Sequence, residues 1–111
     1  MGGRQGSTTS AAPIVSRKLV IRKTAERDLE DAIDYYEANR VGLGDEFLET
    51  VQRAFGVILK NPIRYAELEP EVRRYFLKRF PYSIVYAVEE RRVVVLGVLH
   101  GKRHPDSWRR R

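Results

Sequence analysis

Arginine side chains near the C-terminus are the first candidates for chemistry in this sequence. Residues 72–111 carry eleven Lys or Arg against three Asp or Glu, a net charge of +8, and residues 1–71 carry ten against twelve, a net charge of −2. Guanidinium groups bind phosphate or carboxylate oxygens in pairs. The pattern predicts a basic patch that contacts a polyanion or an acidic protein surface. Its candidate residues are Arg73, Arg74, Arg79, Arg103 and Trp108. The alternative role for Trp108, the single tryptophan, is that of an apolar anchor in the core.

Two histidines, His100 and His104, lie four residues apart within this basic segment. Imidazole titrates near neutral pH, so a nuclease could use either one as a general acid or base. The segment follows a predicted strand and runs into Pro105, where the i, i+4 geometry of a helix is not expected. Two histidines without further ligands also make a poor metal site. The sequence therefore favours loop packing or partner contact for both, and it predicts no metal and no cofactor.

Carboxylates dominate the preceding part of the chain. Between residues 26 and 49, nine Asp or Glu stand against only Arg27 and Arg40. Such an array could hold a metal or supply an acid–base pair, but no histidine or glycine-rich loop accompanies it at ligand spacing. The preferred interpretation is the solvated face of a helical layer.

Three short apolar runs must position the arginines. Residues 72–80, 82–88 and 93–99 are rich in β-branched and aromatic side chains and are separated by Pro81 and by a charged reversal, which predicts a three-stranded antiparallel meander. Residues 14–23 contain a further alternating run and predict the first strand. Which strand of the meander it joins does not follow from the sequence.

Two amphipathic helices are predicted between the first strand and the meander. The first begins with Thr24 as its N-cap and ends near Arg40, and the second runs from about Asp45 to the Asn61-Pro62 stop. Residues 63–71 are predicted to be an irregular connection. The expected fold is α+β, with the order βααβββ and a helical hairpin on one face of a four-stranded, mainly antiparallel sheet.

Side-chain alternation along the middle meander strand gives the two sheet faces different characters. The larger residues of 82–88 are expected under the helices. Ser83, Val85 and Ala87 are expected on the uncovered face, where arginines of the neighbouring strand would surround them. This face is predicted to be a docking groove with an apolar floor and a basic rim.

Composition sets the remaining expectations. The chain has 111 residues, 42% of them hydrophobic, and no cysteine, which excludes disulfides and cysteine-based sites. No apolar run is long enough to span a bilayer, and no secretory signal is recognisable. We expect a single domain over residues 14–111 and a cytoplasmic bacterial protein. The Gly/Ser/Thr-rich residues 1–13 are expected to be a disordered leader or a vector-derived remnant.

A series of short motifs follows in a fixed order along residues 17–109. They are Asp28-Leu29, Tyr35-Tyr36, Leu43-Gly44, Phe47-Leu48, Asn61-Pro62, Val72-Arg73-Arg74, Leu77, Arg79-Phe80-Pro81-Tyr82, Ile84, Tyr86, Val93-Val94-Val95-Leu96, Leu99-His100-Gly101, Arg103, Pro105 and Trp108. Their order and spacing resemble the RelE/ParE toxin superfamily. The resemblance implies the toxin half of a type II toxin–antitoxin module of the plasmid-stabilization kind, which inhibits growth and is neutralised by a cognate antitoxin in a hetero-oligomeric complex.

The superfamily implies two alternative activities. RelE-like members cut mRNA on the ribosome, and ParE-like members inhibit DNA gyrase. In the RelE pattern, one basic position of the first meander strand is kept as Arg74 and one is lost at Phe76. The RelE pattern has an arginine directly after the tyrosine that opens the second meander strand, and this sequence has Ser83 there, after Tyr82. The arginine that the pattern places after the last strand is present as Arg103. The terminal acid–base position falls near Trp108 or Arg109, and neither side chain exchanges a proton near neutrality.

This comparison favours a ParE-like toxin that binds DNA gyrase, and it favours a binding protein over an enzyme. A ribosome-dependent mRNA endonuclease that uses Arg74, Arg103 and His104 is the first alternative. A decayed toxin that retains only antitoxin binding is the second. In each case the antitoxin segment is predicted to be acidic, to carry spaced aliphatic residues, to fold on binding, and to contact Arg73, Arg79 or the Arg103 region.

Overall fold

The computed structural model describes residues 17–101, so the predictions for the leader and for Arg103, His104 and Trp108 lie outside the described residues. The domain predicted over residues 14–111 extends beyond this range at both ends and stays a prediction. The elements, in chain order, are β1 (Lys18–Ile21), α1 (Lys23–Asn39), α2 (Leu43–Lys60), a 3-10 turn (Pro62–Arg64), β2 (Ala66–Glu69), β3 (Val72–Phe76), β4 (Tyr82–Val88) and β5 (Arg92–His100).

The strands form one sheet in the order β1-β5-β4-β3-β2. β1 pairs in parallel with β5, from Lys18 opposite Arg92 to Ile21 opposite Val95, and all other neighbours are antiparallel. The predicted α+β class and the helical hairpin on one face of the sheet are confirmed. The first strand, whose place was open, lies at the edge beside β5.

The sheet has five strands rather than the predicted four. The additional strand, β2, forms in the segment predicted to be irregular and pairs with β3, with Glu67 opposite Arg73. Glutamates and Pro70 disfavour a strand by local propensity. Pairing with β3 overrides that local preference. The pairing is possible because Glu71 takes a left-handed conformation (φ 71°), which turns the chain back so that β3 runs beside β2.

Three predicted boundaries also move. β3 ends at Phe76, and residues 77–81 form a loop closed by the N–H of Leu77 donating to the carbonyl of Tyr82 (2.9 Å). Helix α1 begins at Lys23 without a side-chain cap, so Thr24 is not its N-cap. Helix α2 begins at Leu43 because the Glu37 carboxylate accepts the N–H groups of Gly42 and Gly44, which serves the purpose of an N-cap.

The main core lies between the helices and the sheet. Its centre is an aromatic cluster of Tyr36, Phe47, Phe80 and Tyr82, whose ring centroids lie 4.9–6.1 Å apart. As the alternation predicts, Ile84, Tyr86 and Val88 of β4 pack under the helices. The close approach of the two helices needs Gly44, because a Cβ there would lie 2.9 Å from the carbonyl oxygen of Ile33.

The opposite face of the sheet is not the open groove that the sequence predicts. Ser83 and Val85 are fully buried, and Val85 belongs to a second apolar cluster that contains no helical residue within residues 17–101. A register shift opposite Val85 and Tyr86 makes Leu96 an extra residue in β5. Because of this shift Leu99, and not Val98, lies on the same face as Val94 and Leu96, and both leucines belong to this cluster. Its members are Val72, Val85, Val94, Leu96 and Leu99.

Candidate interaction sites

Arg74 lies on the face with the second cluster, where β3 runs beside β4. Its Nε donates to the hydroxyl of Ser83 at 3.1 Å, and its guanidinium carbon lies 4.6 Å from the centroid of the Phe76 ring. Phe76 is 58% exposed, although it is a large apolar side chain. Arg74 and Phe76 therefore form a cation–π pair at the surface, on a strand end that a partner can reach.

Arg73 points to the opposite face of the sheet, where its contacts hold neighbouring segments of the chain together. Its Nη1 donates to the carbonyl of Tyr65 at 2.8 Å, its Nη2 lies 3.9 Å from a carboxylate oxygen of Glu67, and its buried Nε has no hydrogen-bond partner among residues 17–101. These contacts tie β3 to β2 and to the turn before it. Arg73 is the adjacent residue to Arg74 in sequence, but strand alternation sends the two guanidinium groups to opposite faces.

Arg79 occupies the loop after β3 and is bound to the helical layer. It forms a short ion pair with Glu46 of α2, and Arg40 lies 3.5 Å from the other oxygen of the same carboxylate. The hydrogen bond from Arg79 is the largest cause of the lowered pKa of Glu46. Arg73 and Arg79 border different depressions of the surface. The predicted basic rim is therefore not one continuous surface.

A depression with acidic walls lies between α1 and the ends of β4 and β5, and we call it the α1 pocket. It has a volume of about 450 Å³. The Oδ2 atom of Asp28 accepts the N–H of Val98 at 2.9 Å, which fixes one carboxylate at the rim. The ring of His100 packs edge-on against Tyr82 at 5.2 Å. The lining residues are Asp28, Asp31, Ala32, Tyr35, Tyr82, Val98 and His100.

The α1 pocket combines two carboxylates, two phenols and an imidazole. The two carboxylates attract a cation and repel a phosphate backbone, so this depression suits a basic side chain better than RNA. Burial is the largest cause of the raised pKa of Tyr36 behind this wall, with smaller contributions from Tyr82 and Tyr35. Sequence reasoning assigned the acids to a solvated face and missed the pocket. The spacing of Asp28, Asp31 and Tyr35 places these residues on one face of α1 and could have indicated the pocket. The wall opposite them depends on the register of β5, which the sequence does not give.

A second depression, which we call the α2 groove, lies between α2 and the segment that follows β3. It encloses about 310 Å³. Its floor is apolar, and three cationic side chains border it. The lining residues are Thr50, Arg53, Ala54, Val57, Tyr75, Leu77, Lys78 and Arg79. Sequence reasoning placed only Arg79 in a binding surface, because Arg53 and Val57 belong to a helix that was interpreted as a core element.

The described part of the chain gives no sign of a metal centre or a membrane segment. Within residues 17–101, no group of three or more His, Cys, Asp or Glu side chains is placed to hold a metal ion. Neither of the two helices described is long and apolar enough to cross a bilayer.

Comparison with known proteins identifies the family. A family model described as the ParE toxin of the type II toxin–antitoxin system parDE matches residues 19–105, which is most of the chain. The chain belongs to the ParE toxin family. The superfamily resemblance inferred from the sequence is therefore confirmed, and this ParE-family chain is the toxin of a type II toxin–antitoxin system. No curated protein sequence matches it significantly.

Solved structures share the fold of this ParE-family chain. One is described as the chromosomal ParDE toxin–antitoxin system of P. aeruginosa, with a TM-score of 0.68, 18% identity, and coverage of 77% of this chain and 96% of that one. Another is the RelBE2 toxin–antitoxin complex of Mycobacterium tuberculosis, with a TM-score of 0.54, 22% identity, and coverage of 78% and 93%. At these identities the likeness concerns the fold.

Proposed function

We propose that this ParE-family toxin arrests growth by binding a protein target, that the target is DNA gyrase, and that a cognate antitoxin neutralises it. The surroundings of Arg74 carry the proposal. The guanidinium donates to the Ser83 hydroxyl and stacks on the Phe76 ring. RNA cleavage of the RelE type needs a group that exchanges a proton near neutral pH beside such an arginine. Neither a serine hydroxyl nor a phenyl ring is such a group.

Arg74 and Phe76 are better suited to protein binding than to catalysis. Interface anchors are enriched in arginine and in large aromatic side chains. Phe76 and Arg74 present both at an exposed strand end, and the buried cluster behind them gives a rigid support. The titratable His100 borders the α1 pocket on the helix-covered side of the sheet, away from Arg74. We therefore assign Arg74 and Phe76 to target contact, together with Arg103 and Trp108 as the sequence predicts.

Gyrase supercoiling with added toxin tests this function. The unmodified toxin should inhibit supercoiling or trap a cleavage complex. Phe76→Ala should weaken that inhibition about tenfold or more, as expected for an interface anchor. Ile63→Ala is the matched control, because Ile63 is 61% exposed and Phe76 is 58% exposed. Normal supercoiling at saturating toxin would contradict gyrase as the target.

Two other assays distinguish the competing functions. Primer extension on translated mRNA would show codon-specific cuts if the toxin were a ribosome-dependent endonuclease, and those cuts should disappear in His104→Ala. Induction without antitoxin would leave growth unchanged if the chain kept antitoxin binding alone. The proposed function requires growth arrest and no codon-specific cuts.

A further inference from the structure

We propose that the α2 groove is the seat of an acidic amphipathic segment of the antitoxin. An aliphatic side chain of that segment enters the groove beside Val57, and flanking carboxylates contact Arg53 and Lys78. The inference rests on the antitoxin partnership proposed above. It adds where the antitoxin binds and which chemistry the groove selects.

The floor of the groove provides the apolar part of the site. Ala54 and Leu77 are buried and form the base, and Tyr75 packs partly against the main core. Val57, near the C-terminal end of α2, is 40% exposed, so the fold leaves an apolar side chain uncovered in the depression. An aliphatic side chain that displaces water from this apolar surface is favoured by the hydrophobic effect.

The rim of the groove provides the charge. Arg53 and Lys78 are both exposed and lie on opposite walls, one on α2 and one on the loop after β3. Within residues 17–101 neither forms an ion pair, whereas Arg79 at the same rim is already paired with Glu46. Two unpaired cations beside an apolar floor are complementary to an aliphatic residue with carboxylates on both sides. On a helix, residues three and four apart present that arrangement on one face.

The depression on the α1 side carries the opposite charge. It is lined by Asp28 and Asp31, so it would repel the carboxylates that the α2 groove attracts. Of these two depressions beside the helices, the α2 groove is therefore the one that favours an acidic segment.

The direct test measures the affinity of the full-length toxin for the purified antitoxin encoded by the neighbouring reading frame. Val57→Glu puts a carboxylate on the apolar wall of the groove and should raise the Kd about 30-fold or more, as for the loss of an interface anchor. Val41→Glu is the matched control, because Val41 is 86% exposed and outside the groove, and its Kd should stay within about threefold. Thermal unfolding of each variant reports any loss of folding.

A second pair of variants tests the charges without touching the floor. Arg53→Glu combined with Lys78→Glu should slow association about tenfold at low salt and much less at 1 M salt, where screening acts within about 3 Å. Lys18→Glu combined with Arg27→Glu changes the net charge equally on exposed residues elsewhere and should have a smaller effect. Equal rates for the two double variants would overturn the charge part of the proposal.

The outcomes separate this inference from the proposed function. If the antitoxin binds the unmodified toxin and all variants alike, the groove is not its seat, while the partnership stands. If the antitoxin does not bind the unmodified toxin, both fail. If Val57→Glu instead abolishes self-association of the free toxin, measured by light scattering, and leaves antitoxin affinity unchanged, the groove is a contact between copies and the proposal is wrong. Supercoiling assays of the free toxin remain independent of all three results.

Discussion

The α1 pocket and the α2 groove are built in similar ways but carry charged side chains of opposite sign. Each lies between one helix of the hairpin and residues at one end of the sheet strands, and each keeps an apolar side chain exposed, Tyr35 in the first and Val57 in the second. Their rims differ in the sign of the charge. The lesson is that the scaffold creates the depressions, whereas a few rim residues decide which chemistry each one accepts.

The largest expected effect comes from opening the core behind the α1 pocket. Phe47 is fully buried, and its ring contacts those of Tyr36, Phe80 and Tyr82, of which Tyr82 also lines that pocket. Phe47→Ala should reduce the free energy of unfolding by about 3–5 kcal/mol because it leaves a cavity in the core. Urea denaturation followed by circular dichroism measures this. A loss below 1 kcal/mol would mean that the aromatic cluster is not a main support of the fold.

A smaller effect should separate two carboxylates of the α1 pocket. Asp28→Ala removes the acceptor of the Val98 N–H and should cost about 1–3 kcal/mol, because a partly buried donor loses its partner. Asp31→Ala removes an exposed carboxylate from the same helix and should stay within about 0.5 kcal/mol. Equal costs in the same denaturation experiment would show that Asp28 contributes charge and not a structural hydrogen bond.

Alkaline pH provides a third test, in the core beneath α2. Burial raises the pKa of Tyr86 to about 12, and its hydroxyl donates to the carbonyl of Pro62 at 2.8 Å. The folded state therefore favours the neutral phenol. Its contribution is fully present below the unfolded pKa, near 10, and is lost as the pH rises towards 12. Relative to Tyr86→Phe, the unmodified protein should lose stability over that interval, and parallel curves would contradict this role.

The smallest effect is expected at the surface ion pair beside the α2 groove. Arg79 is the main cause of the lowered pKa of Glu46, but both side chains are well solvated. Glu46→Gln should lower the melting temperature slightly at low salt and not at all at 1 M NaCl, because salt screens exposed pairs. A salt-independent decrease would indicate that Glu46 also positions the loop through another contact.

Periodicity in the sequence was enough for the helices and for most strands. The alternation of Ile84, Tyr86 and Val88 placed the helix-covered face correctly, because side chains of a strand point alternately to its two faces. The strand at Ala66–Glu69 was missed, because its stability comes from pairing with β3 and not from local propensity. The extra residue at Leu96 was also beyond a sequence-based prediction, and it places Leu99 on the second face, where a buried apolar cluster stands in place of the predicted groove.

The candidate sites were harder to predict than the fold. Arg73 and Arg74 were grouped as one basic surface, although adjacent strand residues point to opposite faces. Lys78 falls within the strand predicted over residues 72–80, because the loop that brings it opposite Arg53 has no periodic signal. The sequence predicts which residues share one face of a single helix or strand. It does not predict which residues of two different elements lie next to each other.

Thiol reactivity tests the contrast between the two depressions most directly. The sequence has no cysteine, so Val57→Cys and Tyr35→Cys each introduce a single thiol, one in the α2 groove and one in the α1 pocket. The rate of reaction with a small disulfide reagent is measured for the free toxin and for its complex with the antitoxin. We predict that the antitoxin slows the reaction strongly at position 57 and little at position 35. Protection of position 35 with no protection of position 57 would contradict the assignment of the acidic segment to the α2 groove.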